Sequence, residues 1–119
     1  EHEAPSALFF RRDWLSSHGF IARQLTVVNG AGDSMSPTIR DGDALLVNRQ
    51  DRHIKSERVY AFIQNNETRV KRLLWRYDGS LIIHSDNDAG QYPDEIVPPC
   101  DLEFISLIGR VVWRAGTVS

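Results

Sequence analysis

Arg58-Val59-Tyr60-Ala61-Phe62-Ile63-Gln64 and Thr68-Arg69-Val70-Lys71-Arg72-Leu73-Leu74-Trp75, on either side of Asn65-Asn66, decide the fold. Both runs are rich in β-branched, aromatic and large apolar residues. Asparagine tolerates the left-handed backbone that a tight connection needs, so the stretch reads as a β-hairpin. Further short β-rich runs lie outward from it. Leu25-Thr26-Val27-Val28 leads into Gly30-Ala31-Gly32, Asp41-Gly42-Asp43 turns into Ala44-Leu45-Leu46-Val47, and Asp78-Gly79 turns into Leu81-Ile82-Ile83-His84. A polar loop from Ser85 to Gln91 and a Pro-rich stretch to Pro99 follow. The last run is Leu102 to Trp113, with Gly109 marking a bulge or bend. Strands at this spacing without βαβ alternation predict a mainly β domain, built as antiparallel sheets or a partly closed barrel. One short N-terminal helix is expected over Phe9 to His18. Phe10, Trp14 and Leu15 would share a stripe there, and Gly19 stands where a C-terminal cap belongs. Residues 1–24 thus read as an arm with a short helix, and residues 25–119 as the working domain.

The chain has 119 residues, enough for one domain that buries roughly two-thirds of its unfolded surface. A net charge of −2 argues against a surface built to hold nucleic acid or an anionic membrane, since either needs a basic excess. The single cysteine, Cys100, leaves no internal disulfide framework and fits a reducing compartment. No apolar stretch is long enough to span a bilayer. The sequence opens on Glu1-His2-Glu3-Ala4-Pro5 without a Met and reads as a fragment of something longer.

No cofactor or metal is expected. His2, His18, His53 and His84 do not fall at ligand spacing, and Gly30-Ala31-Gly32 is too short for a phosphate-binding loop. Asp86-Asn87-Asp88-Ala89-Gly90 lacks the Gly and Glu of a calcium loop, with Val97 in the Glu position, and reads as a plain polar turn. Arg69, Lys71, Arg72 and Arg76 split over both faces of one strand, which suits a partly solvated face better than a nucleic-acid patch.

Ser34 stands apart. It follows Gly30-Ala31-Gly32-Asp33 and precedes Met35-Ser36-Pro37-Thr38, in a tight loop between two strands. A nucleophilic serine needs such an open backbone, because the substrate carbonyl must reach both Oγ and nearby N–H groups. The plainer alternative is a loop serine making a turn hydrogen bond. Lys71 is the candidate base, sharing its strand face with Leu73 and Trp75. Desolvation there would favour the neutral amine, which can take a serine's proton. Without it only about one lysine in 2,500 is neutral at pH 7, a handicap of roughly 4–5 kcal/mol. The alternative is a lysine whose stem simply covers apolar surface.

Taken together these residues resemble the C-terminal self-cleaving domain of the LexA and phage-repressor family, the Ser-Lys serine peptidases. Gly32-Asp33-Ser34-Met35-Ser36-Pro37-Thr38 looks like the nucleophile motif, Asp41-Gly42-Asp43-Ala44-Leu45-Leu46-Val47 is similar to the turn and strand after it, and Val70-Lys71-Arg72-Leu73 is similar to the strand carrying the base. The separation of 37 residues agrees with the family's spacing. Ser85-Asp86-Asn87 and Ile108-Gly109-Arg110-Val111-Val112-Trp113 resemble its later signatures, and Phe10-Arg11-Arg12-Asp13-Trp14-Leu15 looks like the lead-in of phage-type repressors. The resemblance implies a repressor of the bacterial cytoplasm, with a helix-turn-helix domain preceding this chain to bind operator DNA. The domain described by this sequence would form a homodimer and, stimulated by a RecA filament after DNA damage, cut the interdomain linker. Ser34 would be nucleophile, Lys71 general base, and the Ser34 N–H an oxyanion donor. The bond the family cuts would fall at or before Glu1, so the fragment is expected to lack its own scissile bond.

Other readings stay open at this point: a membrane signal peptidase, a UmuD-like polymerase subunit, or a dimerising module that does not cleave. The apolar run Phe104 to Trp113 is a candidate paired edge for the dimer.

Overall fold

The structure, a computed structural model, describes Gly19 and residues 22–115. Its strands are β1 (Leu25–Asn29), β2 (Ala44–Asn48), β3 (Arg58–Gln64), β4 (Glu67–Trp75), β5 (Leu81–His84), β6 (Glu95–Val97) and β7 (Ser106–Ala115). They form one sheet in the order β1-β2-β7-β3-β4-β5-β6, every pair antiparallel. The mainly β, antiparallel expectation holds, but the sheet does not close into a barrel: β1 and β6 are its two edges. The helix expected over Phe9 to His18 lies outside the described residues. No helix among those described is long and apolar enough to cross a membrane.

The hairpin of β3 and β4 turns on Asn65 and Asn66 alone. Both have left-handed φ, 53° and 64°, as a two-residue turn matching the sheet's twist requires. β4 therefore begins at Glu67, one residue earlier than the sequence pattern suggests. On one face of this hairpin Tyr60, Phe62 and Leu73 are fully buried and join Leu81, Ile83 and Val97 in the larger core cluster. The buried Tyr60 hydroxyl accepts the Lys55 N–H at 2.7 Å, which ties down the segment leading into β3. A second cluster, Met35, Ile39 and Leu45 with Val59, Val70 and Val111 against it, anchors the loop between β1 and β2.

The run from Leu102 to Trp113 is not one strand. Pro98 and Pro99 start a 3-10 turn, Pro99–Phe104, and only after Ile105 does β7 begin. Proline fixes φ and removes a donor, which favours a helical start over a strand. Nor is this run a free edge. β7 lies inside the sheet, its first half paired with β3 and its second half with β2. Where it passes between them, its register shifts opposite Ala61/Phe62 and Leu46/Val47. Gly109 sits at the crossing: a Cβ there would overlap the Asn48 carbonyl oxygen and lie 2.7 Å from its carbon. The bulge or bend expected at Gly109 is present as the register shift beside it, and the close approach of two backbones is why glycine stands there.

Candidate active site

The loop between β1 and β2 carries Ser34. Its base is closed by Gly30 N–H to the Asp43 carbonyl (2.8 Å) and Gly42 N–H to the Gly30 carbonyl (2.9 Å). Gly32 adopts φ +78°, a conformation that side chains resist, and its N–H donates to Asp41 Oδ1 at 2.8 Å. Beyond the serine, Met35 and Ile39 plunge into the smaller core cluster. Ser34 is therefore held between a pinned glycine and a buried methionine, and the tight loop inferred from Gly30-Ala31-Gly32 exists for that reason.

Lys71 reaches the same point from β4. Cross-strand register places it opposite Tyr60, on the face that buries Phe62 and Leu73, and it is only 9% exposed. Trp75, expected on the same apolar face, lies at the strand end and is exposed. The Lys71 Nζ donates to Ser34 Oγ at 2.6 Å and to Ser85 Oγ at 2.9 Å. Burial pulls the Lys71 amine below the ordinary lysine value, and the Arg69 charge lowers it further, while Glu95 opposes. This is the desolvation that the sequence argument required, with a neighbouring cation added.

The arginines of the basic group are partly solvated, as expected, and each meets a carboxylate. Arg69 makes a bidentate pair with Glu95 at 3.0 and 2.7 Å, Arg72 another with Asp86 at 2.9 and 2.7 Å, and Arg76 approaches Asp78. The polar turn after β5 is more than a turn. Asp86 grips Arg72 of the lysine strand and accepts the Thr38 hydroxyl of the serine loop at 2.6 Å, while its own N–H donates to Met35 Sδ. Asn87 N–H donates to the Ser34 carbonyl at 2.9 Å, and its side-chain amide donates to the Asp33 carbonyl at 2.8 Å. The Tyr92 hydroxyl donates to the Asp33 carboxylate, its ring 5.9 Å from Lys71 Nζ.

Burial works against the Asp86 charge, yet Arg72 and the Thr38 hydroxyl outweigh it and hold the carboxyl below the usual aspartate value. Such a group contributes stability above its unfolded pKa and loses it as pH falls through the lower folded one. Asp86→Asn is expected to cost about 2–3 kcal/mol at neutral pH by leaving Arg72 without its anion. The deficit relative to wild type should shrink as pH falls below about 4. Urea unfolding at pH 7 and at pH 3 measures both.

A cleft runs across the pair. One lobe, about 480 Å³, has Val28, Met35, Ile39, Val70 and Ile108 in its wall. The other, about 500 Å³, has Asp33, Ser85, Tyr92 and Glu95 in its wall. Gly32, Ser34, Arg69 and Lys71 line both. A hydroxyl and a buried amine at hydrogen-bond distance, open to a two-sided cleft, form an arrangement capable of attacking a carbonyl in an extended chain.

Comparison with known proteins settles what kind of domain this is. The peptidase S24-like family pattern matches residues 1–112. The chain belongs to the peptidase S24-like family. That family comprises serine peptidases. The S24-like chain is 36% identical over 95 residues to the HTH-type transcriptional regulator PrtR of Pseudomonas aeruginosa, covering 78% of this chain and 35% of that protein. It is 34% identical over 83 residues to repressor protein CI of Enterobacteria phage phi80, covering 70% and 33%. An uncharacterized HTH-type transcriptional regulator of Haemophilus influenzae is 35% identical over 99 residues, covering 82% and 40%. The chain thus spans 33–40% of the length of these relatives.

Within this S24-like domain the structure brings together both residues singled out in the sequence, Ser34 and Lys71. Reading the sequence missed Ser85, Asp86, Asn87, Tyr92 and Glu95 as members of the site. The resemblance of Ser85-Asp86-Asn87 to a later signature of the family was the one signal pointing at the first three. Nothing in the pattern marked Tyr92 or Glu95, because β6 is a three-residue edge strand inside a stretch that reads as Pro-rich loop.

Proposed function

We propose that this domain is a self-cleaving serine endopeptidase and dimerisation domain of a bacterial or phage transcriptional repressor, with Ser34 as nucleophile and Lys71 as general base. The observation that carries it is the 2.6 Å contact between Ser34 Oγ and a buried Lys71 Nζ. With the amine neutral, Ser34 O–H donates to Nζ, while Nζ–H donates to Ser85 Oγ and keeps the lone pair aimed at the serine. Ser34 Oγ then attacks the scissile carbonyl carbon as its proton passes to Lys71. The carbonyl oxygen becomes an oxyanion that the Ser34 N–H can meet. Collapse breaks the C–N bond, Lys71 returns the proton to the leaving amine, and a water deprotonated by Lys71 hydrolyses the Ser34 ester.

The regulator and repressor names of the relatives support a helix-turn-helix domain preceding this one, and so operator DNA as a partner of the longer protein rather than of this domain. The scissile bond would lie in the segment joining the two. Cutting there separates DNA binding from dimerisation and forfeits bivalent operator binding. The resemblance to the LexA and phage-repressor family supports RecA-filament stimulation, a homodimer and a place in the bacterial cytoplasm. The longer protein, incubated across pH 7 to 10 with and without activated RecA filament, is expected to split in two on a gel. Ser34→Ala should leave it whole. A wild-type protein that stays intact under every condition contradicts self-cleavage and leaves a dimerising module.

A further inference from the structure

We infer that Asn87 is a positioning residue that aims the Ser34 N–H into the cleft. The inference rests on the reading of Ser34 as nucleophile. The donor in question belongs to the peptide linking Asp33 to Ser34. In a planar trans peptide the C=O and N–H point in opposite directions, so whatever fixes the carbonyl fixes the N–H. The Asp33 carbonyl is held by two donors, the Asn87 side-chain amide at 2.8 Å and the Ser36 N–H at 3.1 Å. Among the described residues the Ser34 N–H has no acceptor of its own, while Ser34 lines both lobes of the cleft. The following peptide is held as well, by Asn87 N–H donating to the Ser34 carbonyl at 2.9 Å.

One residue on the loop after β5 thus clamps the peptide planes on both sides of the nucleophile, 53 and 54 positions away in sequence. The Ser36 donor comes from the same turn as Asp33 and moves with it. Asn87 is anchored elsewhere: next to it, Asp86 is fastened to Arg72 of β4. The clamp therefore registers the serine loop against the strand that carries Lys71. Without the side-chain amide the Asp33–Ser34 plane is free to tilt, and the oxyanion donor leaves its direction while the Ser34–Lys71 contact persists.

The test uses the chain itself and a fluorophosphonate probe, with Ser34 labelling followed by intact mass across pH 7 to 11. Ser34 Oγ bonds to phosphorus, fluoride leaves, Lys71 takes the proton, and the phosphoryl oxygen occupies the oxyanion position. Loss of one oxyanion donor costs ~10²–10³-fold in rate, so a misdirected donor in Asn87→Ala should slow the alkaline plateau by roughly 10–100-fold. The pH midpoint, which reports Lys71, should stay where it is, and so should the thermal midpoint. Asn87→Leu removes the same donor at similar volume without adding a charge and serves if the alanine variant folds poorly; its plateau should fall equally. A plateau unchanged in both variants, or a rate loss that follows a shifted midpoint or a lost fold, overturns the inference about Asn87. Failure of the wild type itself to label at Ser34 instead overturns the reading of the nucleophile.

Discussion

Lys71→Ala is expected to abolish the chemistry at Ser34, with a loss of at least about 10³-fold, within the range that a positioned base contributes. Lys71→Arg should be as inactive, since a guanidinium stays protonated at any pH the protein survives. The pH dependence follows from the direction of the Lys71 shift. In the proposed mechanism the reacting form is the neutral amine, and burial together with Arg69 lowers the pKa from 10.5, so the rate should rise with pH and level off at a midpoint below 10.5. The groups facing the amine are Ser34, Ser85, the Tyr92 ring, Arg69 and Glu95. Glu95 is the only anion among them that favours the charged form. Glu95→Gln removes that anion and leaves Arg69 uncompensated, so both changes move the midpoint down and speed the reaction at pH 7. Arg69→Gln removes the cation and should move it up. Rates of serine labelling against pH for the two variants give the comparison, and midpoints that move together in one direction contradict it.

Gly109→Ala is expected to be strongly destabilising. The added Cβ would overlap the Asn48 carbonyl oxygen, with Val47 Cγ1 3.0 Å away. The obstacle is backbone of a neighbouring strand, not the end of a flexible side chain, so relief needs β2 and β7 to part where β7 passes from one to the other. The expected cost is about 3–5 kcal/mol, a large share of the roughly 5–15 kcal/mol that holds a domain folded. Gly90→Ala is the contrast: its φ is +90° but a Cβ there meets nothing, so only the backbone penalty of about 1 kcal/mol applies. Denaturant midpoints for the two variants separate close approach from conformational strain. Equal losses would mean that the crossing yields easily.

The strands that were legible in the sequence are those whose residues carry the pattern themselves. Asn65-Asn66 between two apolar runs could make little other than a hairpin, and Leu25–Asn29, Ala44–Asn48 and Leu81–His84 are each bounded by Gly or Asp-Gly turns. Glu95–Val97 was not legible. With three residues it has no periodicity, and its pairing with β5 is what makes it a strand. Leu102 to Trp113 misled for the opposite reason: its composition is continuous, but the prolines ahead of it set a 3-10 turn before the strand. Closure was beyond pattern as well, since strand order depends on long-range pairing, here on β7 inserting between β2 and β3.

In the site, Ser34 and Lys71 stood out through motif and spacing, and the fold sets them 2.6 Å apart. The residues that organise them lie on a loop whose polar composition, Ser85-Asp86-Asn87-Asp88, is that of any surface turn. What distinguishes this one is its partners: Thr38, Met35, Asp33 and the Ser34 carbonyl on one side and Arg72 on the other. The contacts to the serine loop span 48 to 54 residues, a separation at which local sequence carries no information about who meets whom.

The proposal that Lys71 is a base poised on Ser34 is open to direct measurement. It is tested most directly by following the Lys71 Nζ through its own titration, with 15N-labelled lysine and NMR, beside the pH profile of Ser34 labelling by a fluorophosphonate. Lys71 is expected to lose its proton below the ordinary lysine value, and labelling to rise with the same midpoint. A Lys71 that titrates like a free lysine, or a labelling rate indifferent to its titration, would contradict it.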